Sequence, residues 1–217
     1  MSANHSLILF EGDIRPLYEE IFAVFGLNFT GNTERVTGLA EIWECTNWPR
    51  KGKPRNLVHK AALYNGTWTA VLDREMTMIL DQVKCAKCAA KWQIKIFGYM
   101  LESVSGSCTL SLYAPKKVRC LDIRNFEVVE NFGTPLPQED GISMAGMLDD
   151  GPMRVSRRLG FADSLFAHPD SKVVILGMED PMRSAADVPP AAGQKKPNPA
   201  ATSSAAQPAR RPWWRIW

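Results

Sequence analysis

Short runs of alternating apolar and polar residues recur along most of the chain and predict a β-rich fold with a few helices between the strands. A first strand is expected over 5–12. The segment 15–27 then changes to a helical period, with Pro16 in its opening turn. Residues 28–38 form a polar break, and the pattern of 39–48 fits either a strand or a helix. The residues of the first helix expected to face the core are Leu17, Ile21, Val24 and Phe25.

The clearest local signal lies in residues 58–73, where two β-prone runs flank Asn65 and Gly66. Both residue types reach positive φ at low cost, which suits the two central positions of a type I′ turn. The segment therefore predicts a β-hairpin with Asn65-Gly66 at its tip. A helix is expected next, over 77–92, because this segment is rich in Ala, Lys and Leu and contains neither Gly nor Pro.

Four strand-like runs follow within residues 94–133, and only short polar segments separate them. Connections this short predict an antiparallel meander, because a parallel return needs a crossover of a dozen or more residues. A later helix is expected from Gly151, with Pro152 in its first turn and Gly160 at its C-terminal end. A last strand is expected over 172–178. The fold class predicted is α+β: a mostly antiparallel sheet of about six or seven strands, with two or three helices on one face.

Composition divides the 217 residues into three parts. Residues 1–181 are expected to form a single globular domain. Residues 182–209 are rich in Pro and Ala and almost without large apolar residues, so we expect a disordered linker there. The first residues carry no basic, apolar leader, and no apolar run approaches the length of a membrane span, so a cytoplasmic location is expected.

The last segment, 210–217, sets three tryptophans among three arginines. Indole rings bring a large apolar area and guanidinium groups contact acidic or aromatic surfaces, so the segment is a candidate docking peptide for a protein partner. A weak contact with an anionic membrane surface, or packing on its own domain, are the alternatives. The candidate partner-binding residues are Arg210, Arg211, Trp213, Trp214, Arg215 and Trp217.

Charge is distributed unevenly although the formal net charge is only +3. From Ser184 onward five basic residues and one acidic residue give +4, so the remainder carries −1. A body this close to neutral has no overall field that would attract nucleic acid. A local basic loop still makes a nucleic-acid-associated protein an alternative, with contacts to phosphates and a stacked base. Its candidate residues are Trp48, Arg50, Lys51, Lys53 and Arg55, and the basic loop is taken to extend over 50–60, to Lys60 beside His59.

The motif Cys85-Ala-Lys-Cys88 is the strongest candidate for chemistry in the body of the chain. Zinc would need four ligands, and no second such pair or histidine pair accompanies the motif. A redox pair would be expected at the start of a helix, whereas this motif falls in the middle of one. We expect buried, reduced thiols, no metal and no cofactor. No catalytic residue is assigned, and a small enzyme or thiol protein stays an alternative.

Four stretches of the chain, GTWTAVLDRE, LESVSGSCTLSLY, KKVRCLDI and ENFGTPLPQEDG, together resemble bacterial α+β proteins of the polymorphic-toxin immunity type. The resemblance covers about residues 66–160. It implies a cytosolic bacterial protein that binds another protein without a cofactor, and it implies no catalytic residue. The expected function is therefore a non-enzymatic, immunity-like protein-binding module whose terminal peptide, joined by a flexible linker, supplies a second contact.

Overall fold

The computed structural model describes residues 4–46, 56–102 and 104–183. Nine strands and five α-helices make up this part of the chain. The strands are β1 (Asn4–Glu11), β2 (Asn28–Val36), β3 (Leu57–Tyr64), β4 (Trp68–Leu72), β5 (Ile96–Glu102), β6 (Ser107–Ala114), β7 (Lys117–Arg124), β8 (Glu127–Phe132) and β9 (Val173–Glu179). The helices are α1 (Tyr18–Val24), α2 (Leu39–Thr46), α3 (Gln82–Trp92), α4 (Met144–Asp149) and α5 (Gly151–Arg158).

All nine strands belong to one antiparallel sheet in the order β2-β9-β3-β4-β1-β5-β6-β7-β8. The α+β class and the meander from β5 to β8 are confirmed, but the expected six or seven strands were too few. The main omission is β2, which the polar break concealed. This strand lies at one edge of the sheet and only its last residue, Val36, is buried, so it shows no apolar alternation.

Helices cover both faces of the sheet, so the expectation of one covered face was wrong. Face A is covered by α1 and α3, which pack on strand residues such as Ile8 and Phe10. Face B is covered by α2, α4 and α5, which pack on the alternate residues, among them Leu7 and Leu9. A strand buried on both faces is apolar at nearly every position, which is why the period of two alone did not reveal the second layer.

The hairpin of β3 and β4 is confirmed, but its turn lies one residue later than predicted. Tyr64 pairs with Thr69, so the two central residues are Gly66 and Thr67. Gly66 has φ +98° and Thr67 does not have a positive φ, the pattern of a type II′ turn. Asn65 acts instead through its side chain, whose Oδ1 accepts hydrogen bonds from the backbone N–H groups of Thr67 and Trp68.

Helix α3 begins at Gln82, five residues later than predicted. Asp81 is its N-cap and accepts a hydrogen bond from the backbone N–H of Lys84 at 3.1 Å. The preceding residues fold around Asp73 instead, whose Oδ2 accepts from the backbone N–H groups of Met78 and Ile79. A buried carboxylate with two backbone donors defines a turn, and this local competition ends the helical pattern early.

Candidate functional site

Both sets of site residues proposed from the sequence lie outside the described part of the chain. These are the terminal peptide, 210–217, and the basic loop residues between 48 and 55. Their roles therefore stay predictions. The described residues bring together a different set of groups, at the edge of the sheet formed by β8.

The cysteine motif lies in a helix and against the sheet, as expected, but because α3 begins at Gln82 the motif is closer to the helix start than predicted, with Cys85 as the fourth residue. Cys85 and Cys88 are buried on face A. Burial raises the pKa of Cys88 to about 12 and that of Cys85 well above its ordinary value. Thiols of this kind stay protonated at neutral pH and are poor nucleophiles. Within the described ranges no group of three or more Cys, His, Asp or Glu residues could hold a metal ion.

One buried polar cluster has the composition of a catalytic site. Lys60, which the sequence assigned to the basic loop, lies on β3 instead and is fully buried. Its Nζ donates to Asp73 Oδ1 at 2.5 Å, Glu75 Oε2 at 3.0 Å and Thr77 Oγ1 at 3.3 Å. Burial alone would lower the pKa of Lys60, but the charges of Asp73 and Glu75 raise it above its ordinary value. All three ammonium protons are donated to neighbouring oxygens, and the amine is held in its charged form. The cluster attaches residues 73–79 to the sheet.

The edge strand β8 differs from the rest of the sheet because it exposes apolar side chains. It is the last strand in the sheet order and pairs only with β7, so its outer edge meets no other strand within the described residues. The exposed fractions are 68% for Phe126, 45% for Val128, 59% for Val129 and 58% for Phe132. We call these four residues the edge surface. An apolar edge with free backbone groups is prone to pair with another chain.

The turn before β8 breaks a rule of local structure. Asn125 and Phe126 have φ values of +50° and +65°, so they form a two-residue turn with both central residues in the left-handed region. Glycine is favoured at such positions, and a bulky residue there is strained. The Phe126 ring covers Gly106 in the turn between β5 and β6, where an added Cβ would lie 2.6 Å from the ring. The chain therefore presents an aromatic ring where a glycine would be easier to accommodate.

A β-bulge divides β8 into two short paired stretches. Val128 pairs with Ile123 and Glu130 with Asp122, so Val129 has no partner residue on β7. An extra residue of this kind interrupts the register and hinders indiscriminate pairing of edges. Val129 nevertheless stays exposed, which places an apolar side chain at the middle of the edge.

A buried ion pair supports β8 from face B. Arg119 on β7 donates from Nε to Glu139 Oε1 at 2.8 Å and from Nη2 to Glu139 Oε2 at 2.7 Å. Its Nη1 donates to Asn131 Oδ1 at 2.7 Å and to the Phe132 carbonyl at 3.1 Å, both on β8. A two-point contact between guanidinium and carboxylate fixes direction as well as distance. Arg119 thereby connects β7, β8 and the segment that follows them.

The chain leaves β8 through Gly133, where only glycine fits. Its φ is +78°, and a Cβ on this residue would lie 2.1 Å from the Val118 carbonyl oxygen. The next residues run along face B and enclose an open pocket of about 630 Å³ beside β8, with Arg119, Asn131 and Glu139 among the residues that line it. Its apolar lining residues are Leu121, Pro135, Leu136, Pro137, Ile142, Met144 and Met147. We call this cavity the Arg119 pocket.

The charge of β8 is negative. Glu127 and Glu130 are its only charged residues, and neither forms an ion pair within the described part of the molecule. The nearest strand contributes Arg124, which pairs with Asp122 at 2.7 Å. β8 therefore combines the apolar edge surface with two acidic side chains, and a pocket lies next to it on face B.

Sequence reasoning placed β8 correctly as a strand but did not single it out. The signal was present in the run FEVVENF, which has no strict alternation and begins with a bulky residue in the turn position after Asn125. The partners Arg119 and Glu139 are 20 positions apart, and no local pattern joins them.

Comparison of the chain with protein-family models, with curated proteins and with solved structures gives no match. The resemblance to immunity-type proteins is therefore neither supported nor contradicted. None of the helices that the structure describes is long and apolar enough to cross a membrane.

Proposed function

We propose that this protein is a protein-binding module that receives an extended segment of a partner along β8, as a tenth strand of the sheet. The observation that carries the proposal is the exposed edge surface on a strand whose outer backbone groups pair with no strand among the described residues. Main-chain hydrogen bonds to a free edge provide affinity in this mode of binding, and neighbouring pockets provide specificity.

Two further features support this location over the other polar and apolar groups of the molecule. Phe126 occupies a strained backbone conformation while its ring remains 68% exposed, and strain of this kind is concentrated at binding sites. Arg119, paired with Glu139, holds β8 in place on face B through hydrogen bonds to Asn131 and Phe132. A preformed binding edge loses less entropy when a partner is bound. The proposal assigns Lys60, Asp73 and Glu75 to structural support, without a catalytic step.

The proposal is tested by exchanging Val129 for proline and measuring partner retention. Val129 has no pairing residue on β7, so proline is tolerated there better than at a paired position, while the proline ring in the middle of β8 hinders the pairing of an added strand. The full chain, the Val129→Pro variant and a Val104→Lys control are purified from native lysate, and bound proteins are quantified by mass spectrometry. Val104 is also exposed, at 72%, but lies outside β8.

We expect a stoichiometric partner with the full chain and with Val104→Lys, and about tenfold or greater loss with Val129→Pro, as for one or two lost hydrogen bonds. Equal retention by all three proteins would contradict binding along β8. A melting curve of Val129→Pro close to that of the unchanged protein shows that the loss is not due to unfolding.

The narrower expectations from the sequence are part of the same proposal. An immunity-type role, in which the partner is a toxin protein, would be one case of protein binding. The Trp- and Arg-rich terminal peptide would add a second contact and raise the apparent affinity through effective concentration. Deleting the chain from Arg210 should then weaken partner retention without lowering the melting temperature. A lowered melting temperature with unchanged retention would oppose this role.

A further inference from the structure

We infer that the partner segment received by β8 alternates large apolar side chains with basic side chains. This inference rests on the proposed function and specifies the chemistry of the partner. It follows from a difference between the two faces of the sheet at β8: face B presents an apolar pocket, and face A presents acidic side chains. Successive side chains of an added strand point to opposite faces, so a period of two in the partner matches this difference.

On face B the added strand would lie beside the Arg119 pocket. Asn131 of β8 points to this face and its Oδ1 contacts Arg119, so the pocket adjoins the strand directly. Met144 and Met147 are among its lining residues, and Met144 is 45% exposed. Methionine adapts its shape to different apolar groups. A partner side chain beside Asn131 would therefore meet this apolar lining, and one beside Val128, which points to the same face, would meet an exposed valine.

The pocket is suited to an uncharged side chain although it contains an arginine. All three guanidinium nitrogens of Arg119 donate hydrogen bonds, and Glu139 neutralises the charge through two of them. Among the described residues that line the pocket Arg119 is the one cation, and its charge is already paired with Glu139. A charged side chain in this pocket would lose hydration without gaining an ion pair, which is unfavourable.

On face A the added strand would lie beside Glu130 and Phe132. Glu130 is half-buried, with Oε2 3.7 Å from Cys120 Sγ, and Phe132 is 58% exposed. Glu127 adds a second negative charge, and β8 has no basic residue. A lysine or arginine of the partner could pair with Glu130 and lie against the Phe132 ring. A basic side chain of the partner would therefore complement the negative charge of face A and contact its exposed aromatic ring.

The inference is tested by selecting random ten-residue peptides on the immobilised full chain, using a display library, and counting those lost on Val129→Pro. We expect the lost peptides to be enriched in alternating basic and large apolar residues. Their affinity for a Glu130→Lys variant should fall about two- to fivefold, while peptides with acidic residues at the same positions should gain. A Glu34→Lys variant, altered on β2, is the matched control and should leave both groups unchanged.

Three outcomes are distinguishable. Peptides that need β8 and alternate as described support the inference. Peptides that need β8 but show another pattern, or an unchanged preference in Glu130→Lys, overturn the inference and leave the proposed function standing. An absence of any peptide sensitive to Val129→Pro overturns both. If Val129→Pro does not fold, the charge preference of Glu130→Lys still decides the inference.

Discussion

The two edge strands of the sheet, β2 and β8, differ in how well they are protected against pairing with another chain. Both β2 and β8 pair on one side only within the described residues, and both contain a bulge. In β2 every exposed residue except Gly31 is polar or charged, and its single aromatic residue, Phe29, packs against Tyr18 of α1 with ring centroids 5.8 Å apart. In β8 four large apolar residues of the strand and its turn remain exposed.

The difference indicates that β8 has been left open, whereas β2 is protected. Polar side chains and a bulge are the usual protection of an edge against pairing with other chains. β8 keeps the bulge and two glutamates, but it also exposes Val128, Val129 and Phe132, and it is fixed by the buried Arg119–Glu139 pair. An edge that is both firmly positioned and adhesive is what strand addition requires.

The largest expected effect comes from removing the support of β8. In Arg119→Met the carboxylate of Glu139 stays buried without its cation, which costs about 3–5 kcal/mol. A domain of this size should then melt about 6–20 °C lower. Circular dichroism during heating measures this. Arg124→Met, which removes an exposed arginine from the same strand, should lower the melting temperature by only a few degrees at most.

Raising the pH should lower the stability of the protein through Tyr18, which packs against Phe29 of β2. Burial raises the pKa of Tyr18 to about 12, while the unfolded chain ionises near 10. The stabilisation is complete below pH 10 and is lost as the pH rises from 10 to 12, an effect of about 2 kcal/mol. The unfolding free energy of the unchanged protein should fall by about 2 kcal/mol relative to that of Tyr18→Phe over this range. A constant difference would show that Tyr18 is not buried beside β2.

The sequence revealed most of the strands but not the contrast between the two edges. The hairpin at Gly66 and the meander from β5 to β8 could be predicted because β-prone runs separated by short turn segments are visible in the sequence itself. The strand β2 was missed because an edge strand with polar side chains shows no apolar alternation. The Arg119 pocket was missed because Arg119 and Glu139, which form it, are 20 positions apart. The assignment of Lys60 to the basic loop was wrong, since one lysine at the end of a basic segment gives no sign that the topology buries it beside Asp73.

Replacing Phe126 by glycine separates stability from binding at β8. Glycine adopts the left-handed conformation without strain, so Phe126→Gly should stabilise the fold by about 1 kcal/mol or leave it unchanged. Retention of the partner should fall all the same, because the aromatic ring is lost. Urea unfolding and the retention assay give the two values. A variant that is less stable by more than about 1 kcal/mol would assign the ring to the packing of the hairpins instead.

The smallest expected change in stability comes from placing a charge on the edge surface. Val129→Lys should alter the unfolding free energy by no more than about 0.5 kcal/mol, since the side chain is exposed. It should also reduce self-association of the purified protein at high concentration, measured by sedimentation, because a charge protects an edge. Glu34→Val on β2, the reverse exchange, is expected to increase self-association. No change in either variant would remove the contrast between the edges.

Site-specific photocross-linking in native cells tests the central claim most directly. A benzophenone side chain is introduced at position 129 on β8 or at position 34 on β2, both exposed. The account predicts one protein cross-linked in high yield from position 129, with the bond located in an extended segment of that protein, and little or no product from position 34. Equal products from both positions, or a product only from position 34, would contradict β8 as the binding edge.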